Sequence, residues 1–306
     1  MICILRCSGA ALLLAAAAGP VGLPAQDHCG ERGGEPDPGM LVSAEWLKRH
    51  RADSGIVILQ ADRTRAAYDS AHVAGARFVA MSDFTTTRGE ILTELPPVAQ
   101  LEALFESLGI GNASRVVLYG ETLPVTRLFF TFDYLGLGDR VSVLDGGLAA
   151  WSDARGEVGT AAAAPAERKS LRVHPRPELV ADAGWVNAHR KGRNILLLDT
   201  RSKEEYDGTK AEEGVARPGH IPRAVQFDWT TTIAGGRFRD KGELSRLFAA
   251  AGATSGKELV TYCRVGTRAS AVYFAARLLG YRVRLYDGSM NEWSGRRELP
   301  VVGGKP

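Results

Sequence analysis

The sequence predicts a tandem of two α/β domains, each a mainly parallel sheet flanked by helices, and three observations carry that reading. Short β-rich runs alternate with helical runs along the chain, an order that gives parallel sheets covered on both faces. The same series of signals occurs twice. The 306 residues are 45% hydrophobic and 24% charged, a globular composition in a chain long enough for two cores.

At the N-terminus, residues 1–25 read as an export signal. Arg6 supplies a basic start and Ala10 to Ala18 a short apolar core, too short to span a bilayer. Cleavage after Ala25 and a periplasmic or secreted destination are the expectation. Residues 26–39 are polar and rich in Gly and Pro, which predicts a disordered lead-in. Of the four cysteines, Cys3 and Cys7 would leave with the signal. Cys29 and Cys263 then remain, too few for a disulfide framework, although in an oxidising compartment Cys29 could pair with Cys263. A formal charge of +3 argues for neither nucleic acid nor a membrane surface as partner.

The duplication organises the rest. Leu101, Leu104, Phe105, Gly109 and Tyr119 recur as Leu244, Leu247, Phe248, Gly252 and Tyr262 at one constant offset. His72 and Ala76 answer His220 and Ala224, and Asp145 and Trp151 answer Asp287 and Trp293. The copies diverge mainly in an insertion around Lys210 to Pro218. These matches set a first domain at 40–155, an Ala-rich linker at 156–172 and a second domain at 173–306. In the second copy Ile195–Asp199, Glu258–Tyr262 and Arg282–Tyr286 read as strands, and Leu244–Ala251 and Ser270–Leu279 as helices with apolar faces.

The chemistry is predicted where Cys263 ends a strand, followed by Arg264, Val265, Gly266, Thr267 and Arg268 and then a helical run. Such a loop aims backbone N–H groups and a helix N-terminus at the sulfur, and two guanidinium groups add to a field that favours the thiolate. A lone cysteine at a strand end is commonly an inert core residue, but an inert thiol gains nothing from flanking arginines. In the first copy Gly120 stands at the same place, followed by Glu121, so only the second copy can supply a nucleophile. Ligands of open α/β sheets sit at the carboxyl ends of strands, where Cys263 falls.

Taken together, Asp199 to Ser202, Gly219 to Pro222, the loop Cys263 to Arg268 and Asp287 to Trp293 resemble the signatures of two-domain rhodaneses, thiosulfate sulfurtransferases. The resemblance covers nearly the whole chain after the signal. It implies an inactive N-terminal domain, a catalytic C-terminal one, and a persulfide carried on Cys263 and cradled by residues 264–268. The implied reaction moves the outer sulfur of thiosulfate to cyanide or a thiol by nucleophilic attack and needs no metal or organic cofactor. Members preferring 3-mercaptopyruvate tend to have Gly-Ser-Gly-Val after the cysteine; the two arginines here suggest the doubly charged thiosulfate, with mercaptopyruvate the alternative donor. Some members have an arginine where this chain has Glu205, which leaves Arg264 and Arg268 to hold the anion. Arg201 is a further candidate for substrate contact, set against an internal ion pair with Asp199. Arg223 stands where a glycine is usual and is expected to face solvent.

The persistence of His220 as His72 in the inactive copy favours a structural hydrogen bond over a catalytic base. Asp287 and Trp293 persist likewise, which favours a turn and a core aromatic. A cysteine phosphatase or arsenate reductase would place arginine six residues after the cysteine; that position is Ala269. A non-catalytic sulfur-binding module is the reading from a different class, and turnover separates it from the enzyme.

Overall fold

The computed structural model describes residues 39–303. The expected signal, nearly all of the 26–39 segment, and Cys29 lie outside them. The main sheet of the first domain holds five strands, Leu41–Val42 (β1), Ile56–Asp62 (β2), Arg77–Ala80 (β3), Arg115–Gly120 (β4) and Val141–Leu144 (β5), in the spatial order β1-β5-β4-β2-β3. The second repeats this with Val180–Ala181 (β6), Ile195–Asp199 (β7), Val225–Gln226 (β8), Glu258–Tyr262 (β9) and Arg282–Tyr286 (β10), in the order β6-β10-β9-β7-β8. Every pairing within the two sheets is parallel. The three strand spans expected in the second copy are those observed. Helices Leu244–Ala251 and Ser270–Leu279 are found at Lys241–Ala250 and Thr267–Leu278.

Equivalent residues do equivalent work. Tyr119 and Tyr262 are fully buried, and their hydroxyl oxygens accept from the backbone N–H of Val73 (2.9 Å) and Ile221 (3.1 Å). His72 stacks on Tyr68 and His220 on Tyr206, at ring separations of 3.8 and 3.7 Å, and each Nδ1 lies against the carbonyl oxygen of its tyrosine partner. The histidines therefore do the same structural work in both copies. The indole N–H groups of Trp151 and Trp293 donate to Glu157 and Pro300 carbonyls.

The domains meet along two central helices, Thr122–Tyr134 (α1) and Thr267–Leu278 (α2). Phe129 packs edge-on to Phe274 and Phe130 to Tyr273, at 4.8 and 5.0 Å, a geometry aromatic quadrupoles favour. An apolar cluster holds side chains of both sheets, Leu118 and Leu259 among them. From Pro124 to Asp133 every residue of α1 is buried, because the helix has its own sheet on one side and α2 on the other. Burial on all sides puts a premium on pairing its charged groups. Asp133 accepts from Tyr273, Arg277 and Arg176, and Arg127 binds Asp287 through two nitrogens, at 2.5 and 2.9 Å.

The segment read as a linker is fastened to the first domain. Val158–Gly159 pairs with His72–Val73. Beyond it, the carboxylate of Glu106 accepts from Arg168 and from the N–H of Leu171, and backbone bonds continue from His174 to Leu135 and from Arg176 to Tyr134. None of the described helices is long and apolar enough to cross a membrane.

Candidate active site

Strand β9 delivers Cys263 to the carboxyl edge of the second sheet, and α2 begins four residues later. The turn between them requires Gly266: its φ of +81° is left-handed, and a Cβ there would lie 2.6 Å from Asp287 Oδ1. With no side-chain cap on this helix, the N–H groups of its first turn have no carbonyl ahead of them and are available to an anion. The Cys263 N–H donates to Ser289 Oγ at 3.1 Å, and the Cys263 and Arg264 carbonyls accept from the N–H groups of Met290 and Asn291. The start of one helix, Ser289–Gly295, thus holds the backbone of Cys263 and Arg264.

The Cys263 side chain is fully buried against a cleft of about 510 Å³. Arg264, Val265, Thr267, Arg268 and Glu212 form one wall; Arg63, Met81, Ser82, Thr85, Thr93 and Leu123 of the first domain form the other. The first copy lacks the nucleophile and yet builds half the site. Its hairpin, Thr86–Arg88 with Ile91–Glu94, grips the loop directly. The Thr93 hydroxyl donates to the Val265 carbonyl, the Leu95 N–H to Asp287 Oδ2 and the Leu92 N–H to Asn291 Oδ1. Asp287, expected only as a turn residue, anchors this clamp through its buried ion pair with Arg127, whose other donor reaches the Thr93 carbonyl.

The arginines are not free. Arg268 is held by both oxygens of Glu205 and, at 2.7 Å, by Glu212 Oε1. Burial works against its charge, but the neighbouring Cys263, Glu205 and Glu212 outweigh that and raise its pKa. Burial likewise works against the carboxylate of Glu205, yet its hydrogen bonds to Glu212 and Arg268 bring its pKa down to about 2. Arg264 donates to the Glu213 carbonyl and lies 3.9 Å from Glu212. Arg264 and Arg268, expected to hold the anion, are both met by carboxylates: Glu205 binds Arg268, and Glu212 faces both.

Arg201 lies outside the cleft's walls. It is 1% exposed, and its guanidinium goes to both oxygens of Asp199, to the Gly219 carbonyl and to Glu212. The internal ion pair with Asp199, the alternative to substrate contact, is the arrangement found. Trp185 stacks under Arg284 at 4.5 Å and Trp229 packs against the core, both away from the cleft. Sequence reasoning missed Glu212, Ser289, Thr93 and Arg127. Glu212 left a trace as part of the insertion that separates the copies, and Ser289 as a member of the Asp287–Trp293 signature. No group of His, Cys, Asp and Glu among the described residues is arranged to hold a metal ion.

A duplicated α/β domain with one loop-borne cysteine defines a class, sulfur- or anion-handling cysteine enzymes built from tandem repeats. The family follows from comparison: the Rhodanese-like domain matches residues 43–154 and again 182–296, and the chain belongs to that family. Among its relatives, the sulfur carrier protein TtuD of Thermus thermophilus is 30% identical over 88% of this chain and 98% of its own length. A protein of Mycobacterium leprae named "Putative thiosulfate sulfurtransferase" is 31% identical over 86% of this chain and 97% of its own. An anaerobic ergothioneine biosynthesis enzyme of Chlorobium limicola, solved with trimethyl histidine, superimposes with a TM-score of 0.79 at 26% identity, over 89% of this chain and 72% of that one. The chain is a rhodanese-family sulfurtransferase.

Proposed function

We propose that the chain transfers the outer sulfur of thiosulfate to cyanide or a thiol through a persulfide on Cys263. The observation that carries this is the placement of Cys263 just before α2, against a cleft edged by Arg264 and Arg268. The thiolate attacks the outer sulfur, the bond between the two sulfurs of thiosulfate breaks, and sulfite leaves with the electron pair. A deprotonated persulfide remains. Cyanide or a thiolate then attacks the terminal sulfur, and the Cys263 thiolate leaves with its electron pair restored. Neither step requires a general base; both require donors where negative charge builds, which the loop N–H groups of residues 264–268 supply. Residues 1–25 support export as the setting for this activity.

Two finer readings compete. The acidic partners of Arg264 and Arg268 weaken the charge argument for thiosulfate, so 3-mercaptopyruvate is the competing donor. The likeness to a protein named a sulfur carrier supports a protein thiol as acceptor. Intact and peptide masses recorded with thiosulfate alone, and then after cyanide, test the proposal. One added sulfur on the Cys263 peptide, discharged with release of thiocyanate, is expected. An unmodified Cys263 with thiosulfate but a sulfur gained from mercaptopyruvate would replace the donor, and failure with both would overturn the reading.

A further inference from the structure

We propose that Glu212 is a built-in competitor for the anionic end of the sulfur donor, an inference that rests on the sulfurtransferase reading of Cys263. One carboxylate meets both arginines of the cleft, Arg268 at 2.7 Å and Arg264 at 3.9 Å, and Arg201 behind them at 3.3 Å. It also lines the cleft beside Cys263. A carboxylate in that position satisfies the donors that a sulfonate or a substrate carboxylate would use.

The surrounding contacts let the side chain leave while its backbone stays. The strap that carries it is tied by the N–H groups of Thr209 and Lys210 to the Glu204 carbonyl, by Asn291 to the Gly214 carbonyl, and by Arg217 to the carbonyls of Trp293, Ser294 and Arg296. Arg268 keeps its two-oxygen grip on Glu205 when Glu212 turns away, so the guanidinium remains aimed at the cleft. With Glu212 seated and ionised, above its raised pKa, Arg201, Arg264 and Arg268 face Asp199, Glu205 and Glu212, and these charges balance. With Glu212 displaced, the site gains one net positive charge beside the sulfur. Burial and the neighbouring Glu205 carboxylate raise the Glu212 pKa, which eases its departure. Glu212 thereby disfavours casual anions and sets the affinity for the donor.

The test reads the field at Cys263 without sulfur transfer. Alkylation rates of Cys263 by iodoacetate and by iodoacetamide share the thiolate requirement, so their ratio isolates the effect of reagent charge. In Glu212→Gln the ratio is expected to rise about tenfold over wild type, the effect of one nearby charge under partial screening. Glu213→Gln, which removes an equal charge from an adjacent exposed side chain, is expected to change it less than about twofold. In the wild-type chain the ratio should climb as pH falls through the raised Glu212 pKa and stay flat in Glu212→Gln. The groups facing Glu212 are Arg268 on α2, Arg264 on the loop, Arg201 and Asp199 behind it, Glu205 on its helix, and Cys263; Arg63 lines the opposite wall. An unchanged ratio in Glu212→Gln, an equal rise in Glu213→Gln, or a flat wild-type profile would overturn the proposal. Absence of thiosulfate turnover would instead count against the donor assignment and leave the alkylation result standing.

Discussion

The backbone N–H of Cys263 donates to the hydroxyl of Ser289, which donates in turn to the Tyr286 carbonyl at 2.8 Å. Ser289 does this from a left-handed conformation, φ 51°, that a serine adopts at a cost. The first copy places Gly147 at the matching position with φ 55° and holds no nucleophile beside it. Strain at Ser289 is thus tied to the position of the reactive cysteine. Ser289→Ala should lose about 2 kcal/mol of stability by leaving a buried N–H unpaired. Ser289→Gly should lose about 1 kcal/mol less because the strain is relieved. Urea denaturation measures both; the persulfide loading rate should fall in each.

Restoring a cysteine to the first copy should not restore a site. A Cβ on Gly120, φ +129°, would lie 2.4 Å from the Ala61 carbonyl oxygen and 2.6 Å from Asp62 Oδ1. Gly120→Cys is expected to cost about 2 kcal/mol or more, and mass spectrometry after thiosulfate should still find a single added sulfur. A second one, on residue 120, would contradict the account of that strand end.

The Arg127–Asp287 pair should be strongly coupled. Asp287→Ala leaves a fully buried guanidinium without its carboxylate, an expected loss of about 3–5 kcal/mol. Arg127→Met should cost less, and a double-mutant cycle should return a coupling of roughly 2 kcal/mol. Activity should fall with Asp287→Ala even at temperatures where the variant is folded, since Leu95 and Thr93 lose their anchor.

Glu94, next to the clamp residue Thr93, has its carboxyl pushed up to about 7, first by burial and then by Asp287. The folded chain therefore holds this proton when the unfolded chain has released it, and stability falls as pH rises from about 4.3 through 7. Solvent screening limits the effect to about 1 kcal/mol. Glu94→Gln should stabilise the protein by that amount at pH ~8 and leave it nearly unchanged below pH ~4, measured by thermal unfolding at both.

Arg223 is exposed, as expected, and sits at φ 73°. Arg223→Gly should raise stability by about 0.5–1 kcal/mol, the relief of left-handed strain less the added freedom of the unfolded chain. A lowered midpoint in urea would show that the arginine side chain has a compensating contact.

Strand spans Ile195–Asp199, Glu258–Tyr262 and Arg282–Tyr286 are legible in full as short β-rich runs, and Ile195–Asp199 reads as the near-continuous apolar run of a doubly covered parallel strand. The start of α2 was placed at Ser270 rather than Thr267, since the helix begins on a left-handed glycine with no capping side chain to mark it. Tandem repetition made the structural duty of His220 readable by comparison with His72. Charge was harder. Arg264 and Arg268 could be counted, but their partners Glu205 and Glu212 come from a separate helix and strap, and sequence distance hides who neutralises whom. Asp287 looked like a turn because its partner Arg127 belongs to the other repeat.

The cleft's two walls come from different copies of the fold, so the duplication has not left one working enzyme with an idle twin. It has produced a single cleft whose cysteine is supplied by one half and whose facing wall is supplied by the other. Natural variation at Arg63, Met81, Thr85 or Leu123 can therefore retune which acceptor reaches the sulfur, while the residues that hold Cys263 in place stay untouched.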